Sequence, residues 1–480
     1  MRFLNKDQLQ SIGFQYIIDN IDTISRLGHE VKHQAKPYTH AMEKELMTEL
    51  SNTKKIIDLL RDKCDHVEQI GLSLHKIKDI KPTIKKIGTG VILDEVEFFE
   101  IKLFASICNS LSRSYASMAI DIEGFEILDV SRVFNILDPD KTGYETFYIY
   151  ESYSLDLQHL RIKRKETENQ IINAPSVDQK NKLLLLRAEL LDKEHELEYQ
   201  IKTDLTNQLK AFVGPLLSNV SAIGYLDFLI AKSRYFMHTN AVAPTIVKDS
   251  QPIHFEGMYN PYYDNLLKQK KASMQTLDLD LHSGVTVLTG ANMGGKSITM
   301  KTVVLNVLLA NYGMYVYADA AHVPIIEFLY MVSDDLQSIE KGLSTFGAEM
   351  IQLKTIIGAS GKKDGLIVLD ELARGTNPEE AKIIVNAVID FFKHKQSYTF
   401  ISTHLDGIDK EDIRHLQVVG ISRVDFKQLE SSAKINSKEA LNLLRKQMDY
   451  SIEEVSHSNV PKNALQIARL LGIKDLNFDL

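Results

Sequence analysis

The sequence predicts a two-part chain, an all-helical first half followed by a parallel α/β second half. Three observations carry that prediction. Residues 1 to about 240 are rich in Lys, Glu and Leu, poor in glycine and proline, and repeat apolar residues at helical spacing. From about residue 250, short Val/Ile/Leu runs alternate with helical segments and glycine-rich turns, the pattern of a parallel sheet with crossover helices. Ala241-Val242-Ala243-Pro244 marks the junction, so the expected domains are 1–240 and 241–480. A chain of 480 residues exceeds one hydrophobic core, in keeping with that division.

Composition narrows the class. Lys+Arg 56 against Asp+Glu 64 gives −8, so the chain is not a strongly basic nucleic-acid module, although a local basic patch depends only on how charge is distributed. Two cysteines, Cys64 and Cys108, exclude a disulfide framework or a multi-cysteine zinc site and fit a reducing cytoplasm. The start, Met1 to Asp7, has no apolar signal region. Thr302 to Val316 is the most apolar long stretch; it is cut by Asn306 and Asn311 and falls short of the ~20 residues of a membrane span. The expectation is a soluble, cytoplasmic protein with no membrane partner.

In the first half, Leu155 to Ile172 and Lys180 to Phe212 read as two helical runs broken at Asn173-Ala174-Pro175-Ser176. Leu183, Leu186, Leu190, Leu197, Ile201 and Leu205 recur at three-, four- or seven-residue steps, a coiled-coil seam with a charged interruption at Lys193-Glu194. The natural object is an antiparallel hairpin, an arm ~50 Å long at ~1.5 Å per residue. From Leu157 to Lys210 its ten Lys/Arg and nine Asp/Glu leave +1, and Arg161, Lys163, Arg164 and Lys165 form the only dense positive spot. The arm is read as a lever or spacer before a nucleic-acid grip.

In the second half, an apolar strand at Val285 to Thr289 leads into Gly290-Ala291-Asn292-Met293-Gly294-Gly295-Lys296-Ser297, followed by a helical run from Ile298 to Leu309. The loop meets G-x-x-x-x-G-K-[ST] at every fixed position. Glycines let successive N–H groups turn toward phosphates, and the following helix adds its positive end. Gly290, Asn292, Met293, Gly294, Gly295, Lys296, Ser297 and Ile298 are the candidate nucleotide-binding stretch. Lys296 is expected to reach the β- and γ-phosphates of ATP, and the Ser297 hydroxyl to ligate Mg2+.

A second apolar strand, Gly365 to Leu369, delivers Asp370 and Glu371 to the edge where parallel sheets bind ligands. Asp370 is expected in the Mg2+ shell, and Glu371 to orient or deprotonate the attacking water. A third strand, Tyr398 to Ser402, leads to Thr403-His404, where His404 would contact the γ-phosphate or the water. Gly342-Leu343-Ser344-Thr345, ahead of another helix, forms a second anion-binding turn, which makes sense if it closes on a neighbouring subunit's nucleotide.

These motifs resemble the MutS family. Thr289 to Ser297 is similar to its T-G-P-N-M-G-G-K-S, Gly342 to Phe346 with Glu349-Met350 to G-R-S-T-F-x-x-E-M, and Asp370 to Thr376 to D-E-I-G-R-G-T; Ser402-Thr403-His404, Asp334-Asp335-Leu336 and Ala464 to Ile473 follow the same order. Leu226 to Lys232 resembles the end of the family's helical lever. The resemblance implies an ABC-type ATPase fold and a homodimer in which Gly342, Ser344 and Thr345 of one copy complete the other's site. It also implies Asn292 near the γ-phosphate and an aromatic such as Tyr259 against adenine, although the family's His-Pro is Asn260-Pro261 here.

Departures bear on the output. The helical part starts almost at once, where mismatch-reading members carry two further domains, so neither a mismatch-reading domain nor a nuclease-like tail is expected. Phe98-Phe99-Glu100 fits the Phe-x-Glu wedge pattern but lies in a helical run, so a core phenylalanine beside a surface glutamate is expected. Two outputs follow: a DNA-associated ATPase, or a protein-remodelling one, similar to the reactivase ATPase subunit that would serve a cobalamin-dependent lysine 5,6-aminomutase.

Overall fold

The computed structural model describes residues 4–62, 64–143, 146–248, 251–290, 295–332, 345–360, 364–408, 410, 412–420 and 448–455. It divides into two compact units: Met1–Ile21, Lys36–Lys54 and Tyr235–Leu480 form the first, Asp22–Ala35 and Lys55–Arg234 the second.

Among the described residues the first unit holds ten strands: β1 Thr245–Val247, β2 Ile253–Met258, β3 Leu277–Leu281, β4 Gly284–Thr289, β5 Ala320–Pro324, β6 Phe328–Val332, β7 Gly365–Leu369, β8 Tyr398–Ser402, β9 Arg414–Gly420 and β10 Asp449–Glu454. Six make a sheet in the order β10-β9-β4-β8-β7-β6, parallel except for β10. Strands β4, β7 and β8 are buried at every residue, which is why they read as unbroken apolar runs and not as alternation. Helices Thr345–Ala359 and Pro378–Phe392 pack Leu353, Ile356, Val385, Ile389 and Phe392 onto Val285, Ile367 and Ile401. The second of these helices starts where its residues dictate: the Asn377 side chain accepts the Glu379 N–H (2.9 Å), and Pro378 occupies the first turn. A smaller sheet, ordered β1-β5-β2-β3, had no signature in the spacing.

Helix Lys296–Asn311 has no exposed stripe from Thr299 onward. The asparagines that interrupt its apolar run are structural anchors: Asn306 Oδ1 accepts the Tyr317 N–H (2.7 Å) and Asn311 Oδ1 the Ile326 N–H (2.9 Å). Two N-terminal segments belong to this unit. Gln8 donates to the Met331 carbonyl (2.7 Å), the Tyr38 N–H to Asn311 O (2.7 Å), and Leu46 and Leu50 pack on Ile325. The expected boundary at 240 assigned these helices to the other half, because helical periodicity reports that a face is buried and not what buries it.

Among the described residues the second unit contains helices and no strands. Asp227 accepts from the N–H groups of Ile24 (3.0 Å) and Ser25 (2.6 Å) and from the Ser25 hydroxyl. Phe98 is fully buried on helix Glu95–Met118, while Glu100 accepts from Thr83, as a core position beside a polar one requires. Lys102, buried on that helix, donates to Asp138 (3.1 Å), the Thr146 carbonyl (3.1 Å) and Tyr150 (3.0 Å).

Helices Leu155–Ile172 and Val177–Leu209 run antiparallel as a hairpin. Glu194 takes a seam position between Leu190 and Ile201 and is buried. It is reached by Arg161 Nε at 2.9 Å and by Arg164 Nε at 2.9 Å, the latter out of line for a hydrogen bond, while Arg161 also pairs with Glu198 (2.7 Å). Arg161 and Arg164, half of the positive spot, are therefore neutralised inside the hairpin. The helical stretch Val177–Met237 holds an 18-residue window apolar enough to cross a membrane by length and composition, with 56% of that window buried in the protein.

Candidate active site

Parallel pairing sets the site's frame. Leu288 lies opposite Ser402 and Ile401 opposite Leu369, so β4, β8 and β7 end at one edge of the large sheet. The chain leaves β4 through Gly290 at φ +144°, where a Cβ would stand 3.1 Å from the Val418 Cβ on β9. It enters helix Lys296–Asn311 through Gly295 at φ +83°, where a Cβ would meet the Tyr450 ring at 2.8 Å. Both positions disfavour a side chain by conformation, and Gly295 by space as well. Asn292, Met293 and Gly294, between them, lie outside the described residues, as do Gly342 and Ser344. Thr345 opens helix Thr345–Ala359, and its side chain is likewise outside them.

Lys296 is buried, with Nζ 2.8 Å from the Gly290 carbonyl and 3.8 Å from Glu371 Oε1. Burial lowers its pKa, while Glu371 and Asp370 push it back up. Ser297 is exposed on the first turn of the helix and Ile298 is half-buried. Asp370 is buried at the end of β7, held by the Ser402 hydroxyl (2.5 Å) and by its own N–H to the Val332 carbonyl (2.9 Å). Glu371 is paired with Arg374 (2.8 Å).

The acidic turn is strained. Glu371 (φ +51°) and Ala373 (φ +63°) both sit in the left-handed region. For residues with a Cβ that region costs about 1–2 kcal/mol. Two side chains hold the turn: the Glu371 N–H donates to Ser402 Oγ (2.9 Å), and the Ala373 N–H to Glu349 Oε2 (3.1 Å). Ala373 stands where the D-E-I-G-R-G-T pattern has glycine, which explains why that pattern calls for glycine.

His404 is exposed just beyond β8. Tyr259 is half-buried, its ring edge-on to Tyr317 (centroids 5.4 Å apart) and its carbonyl 3.4 Å from Asn306 Nδ2. Sequence reasoning overlooked Tyr450 and the roles of Glu349 and Ser402, which it met only as letters of a motif. Tyr450 reaches the glycine-rich loop from an edge strand far along the chain, and no local spacing marks it. Ser402 was visible in the Ser-Thr-His segment, but its partners come from the neighbouring strand.

The donor set fits a metal-bound polyphosphate. A loop that disfavours a Cβ at Gly290 and Gly295 leads to a helix N-terminus with a buried ammonium, beside an exposed hydroxyl and a buried carboxylate.

Residues 286–474 match the family model of MutS domain V. Across 467 residues the chain is 24% identical to "Endonuclease MutS2" of Lactococcus lactis subsp. lactis, covering 84% of this chain and 56% of that protein. Over 221 residues it is 33% identical to "Endonuclease MutS2" of Acetivibrio thermocellus (45% of this chain, 27% of that one). Over 274 residues it is 28% identical to "DNA mismatch repair protein MutS" of Listeria innocua (55% and 31%). The chain thus spans about half the length of the first of these relatives and less of the others. The domain V match spans the loop and both acids of the site, and the relatives that align with the chain are MutS and MutS2 proteins; residues 286–474 are thus a MutS domain V.

Proposed function

We propose that the chain is a Mg2+-dependent ATPase that works as a homodimer, two copies joining over ATP and using its hydrolysis to move the helical hairpin as a lever. The observation that carries this reading is the convergence of Lys296, Asp370 and Glu371 beside the glycine-rich loop. Lys296 and the helix N–H groups would hold the β- and γ-phosphates, and Ser297 and Asp370 the metal, which supplies charge neutralisation on the phosphates. Glu371 orients the water, and His404 senses the γ-phosphate. Gly342, Ser344 and Thr345 of one copy would complete the other's site, and Asn292 would lie near the γ-phosphate. Tyr259 or Tyr450 supplies an aromatic face for adenine; the contact of Tyr450 with Gly295 favours the latter.

For the output, the endonuclease and mismatch-repair names of the relatives favour DNA over a cobalamin enzyme as the partner. Because Arg161 and Arg164 are engaged by Glu194, the hairpin suits a lever better than a basic grip. Sedimentation of Glu371→Gln with Mg-ATP tests the core of the proposal. A dimer accumulating with ATP and absent with ADP is expected, and a monomer under both conditions refutes it. If duplex DNA at low salt leaves wild-type turnover unchanged, DNA is removed as the effector.

A further inference from the structure

We infer that Ser402 is a positioning residue that sets both acids of the site from one hydroxyl, fixing which oxygen of Asp370 faces a divalent cation and how Glu371 is presented. This deepens the ATPase reading and rests on it. Ser402 is fully buried at the last position of β8. Its Oγ donates to Asp370 Oδ1 at 2.5 Å and accepts the Glu371 N–H at 2.9 Å.

A hydroxyl carries one proton. Ser402 spends it on Asp370 Oδ1, so Oδ2 is the oxygen outside that bond. The lone pair that receives the Glu371 N–H holds that residue at φ +51°, a conformation its own Cβ disfavours. So held, the Glu371 carboxylate stands between Lys296 (3.8 Å) and Arg374 (2.8 Å). A buried serine with a purely packing role would need one partner, and any nearby carbonyl would serve. Here the two partners are consecutive residues, one expected at the metal and the other at the water.

The test reads cation binding directly, without turnover. Mn2+ is titrated into the full chain with ADP and free Mn2+ is followed by electron paramagnetic resonance, for wild type, Ser402→Ala, Ser402→Cys and Ser402→Thr. Loss of a hydrogen bond to a charged group predicts about tenfold weaker Mn2+ binding in Ser402→Ala and Ser402→Cys. Ser402→Thr, which keeps the hydroxyl, should stay within about threefold. ADP affinity in EDTA should be the same in all four. Unchanged Mn2+ affinity in both Ser402→Ala and Ser402→Cys, whose thiol is bulkier and a weaker hydrogen-bonding group than the hydroxyl it replaces, overturns the inference while the ATPase reading stands. Wild-type protein whose Mn2+ binding does not respond to ADP removes the ATPase reading and this inference with it.

Discussion

Lys102→Met tests the base from which the hairpin rises. The Lys102 ammonium, buried on helix Glu95–Met118, meets Asp138, the Thr146 carbonyl and Tyr150. Asp138 also accepts from Thr142 (2.8 Å), the Gly143 N–H (2.9 Å) and Tyr150 (3.1 Å). The same segment supplies the Ile149 carbonyl, which receives Arg161 of the hairpin at 2.8 Å. Burial pushes the Asp138 carboxyl upward, yet the Gly143 and Thr142 hydrogen bonds and the Lys102 charge hold it down at about 2. Against an unfolded value of about 3.9, that depression corresponds to roughly 2–3 kcal/mol of stability. The folded pKa is the lower one, so this stability is fully present above pH ~4 and is lost as pH falls toward 2. Removing one partner of a buried pair costs about 3–5 kcal/mol; with three donors left on Asp138, the lower end is expected. Urea unfolding followed by far-UV circular dichroism should show a loss of about 3 kcal/mol at pH 7, a smaller loss near pH 3, and recovery of at least half in Lys102→Met/Asp138→Asn. A loss below about 1 kcal/mol at pH 7, or a double variant no better than the single, refutes the argument.

Three further outcomes follow from particular contacts. Glu194→Gln, which leaves Arg161 and Arg164 with less compensating charge in the seam, should cost about 1–2 kcal/mol and speed amide exchange along Leu155–Ile172. Unaltered exchange there would show that the pairing carries no stability. Ala373→Gly relieves a left-handed alanine and should stabilise the chain by about 1 kcal/mol, read as a higher melting temperature; a lower one contradicts the strain assigned to that turn. Gly295→Ala puts a methyl 2.8 Å from the Tyr450 ring and should weaken ATP binding at least ~10-fold. If Gly295→Ala costs nothing further when added to Tyr450→Ala, the loss is traced to that ring, and an undiminished cost in that background would exclude it.

The strand and helix on either side of the glycine-rich loop, the acidic strand and the hairpin helices were legible because each is a local pattern. An unbroken apolar run such as Gly365 to Leu369 means a strand buried on both faces, and Gly290 and Gly295 stand where the backbone is left-handed or crowded. What stayed hidden is long-range. Leu46 and Leu50 show a helical stripe, but that they face Ile325 is decided by the fold and not by the stripe. Arg161 and Arg164 read as surface charge until the antiparallel register brought Glu194 to them; the apparent interruption of the seam was their partner. Ser402 and Tyr450 gain their roles from neighbours across strands and across some 155 residues of chain respectively, separations no spacing rule covers.

Equilibrium binding of ATP with Mg2+ to the wild-type chain and to Lys296→Ala tests the central claim most directly, because the buried ammonium is the cation proposed to hold both the β- and γ-phosphates. Saturable binding by wild type that is lost in a folded Lys296→Ala is the predicted result. Wild type that fails to retain the nucleotide, or a variant that retains it equally well, would contradict the account.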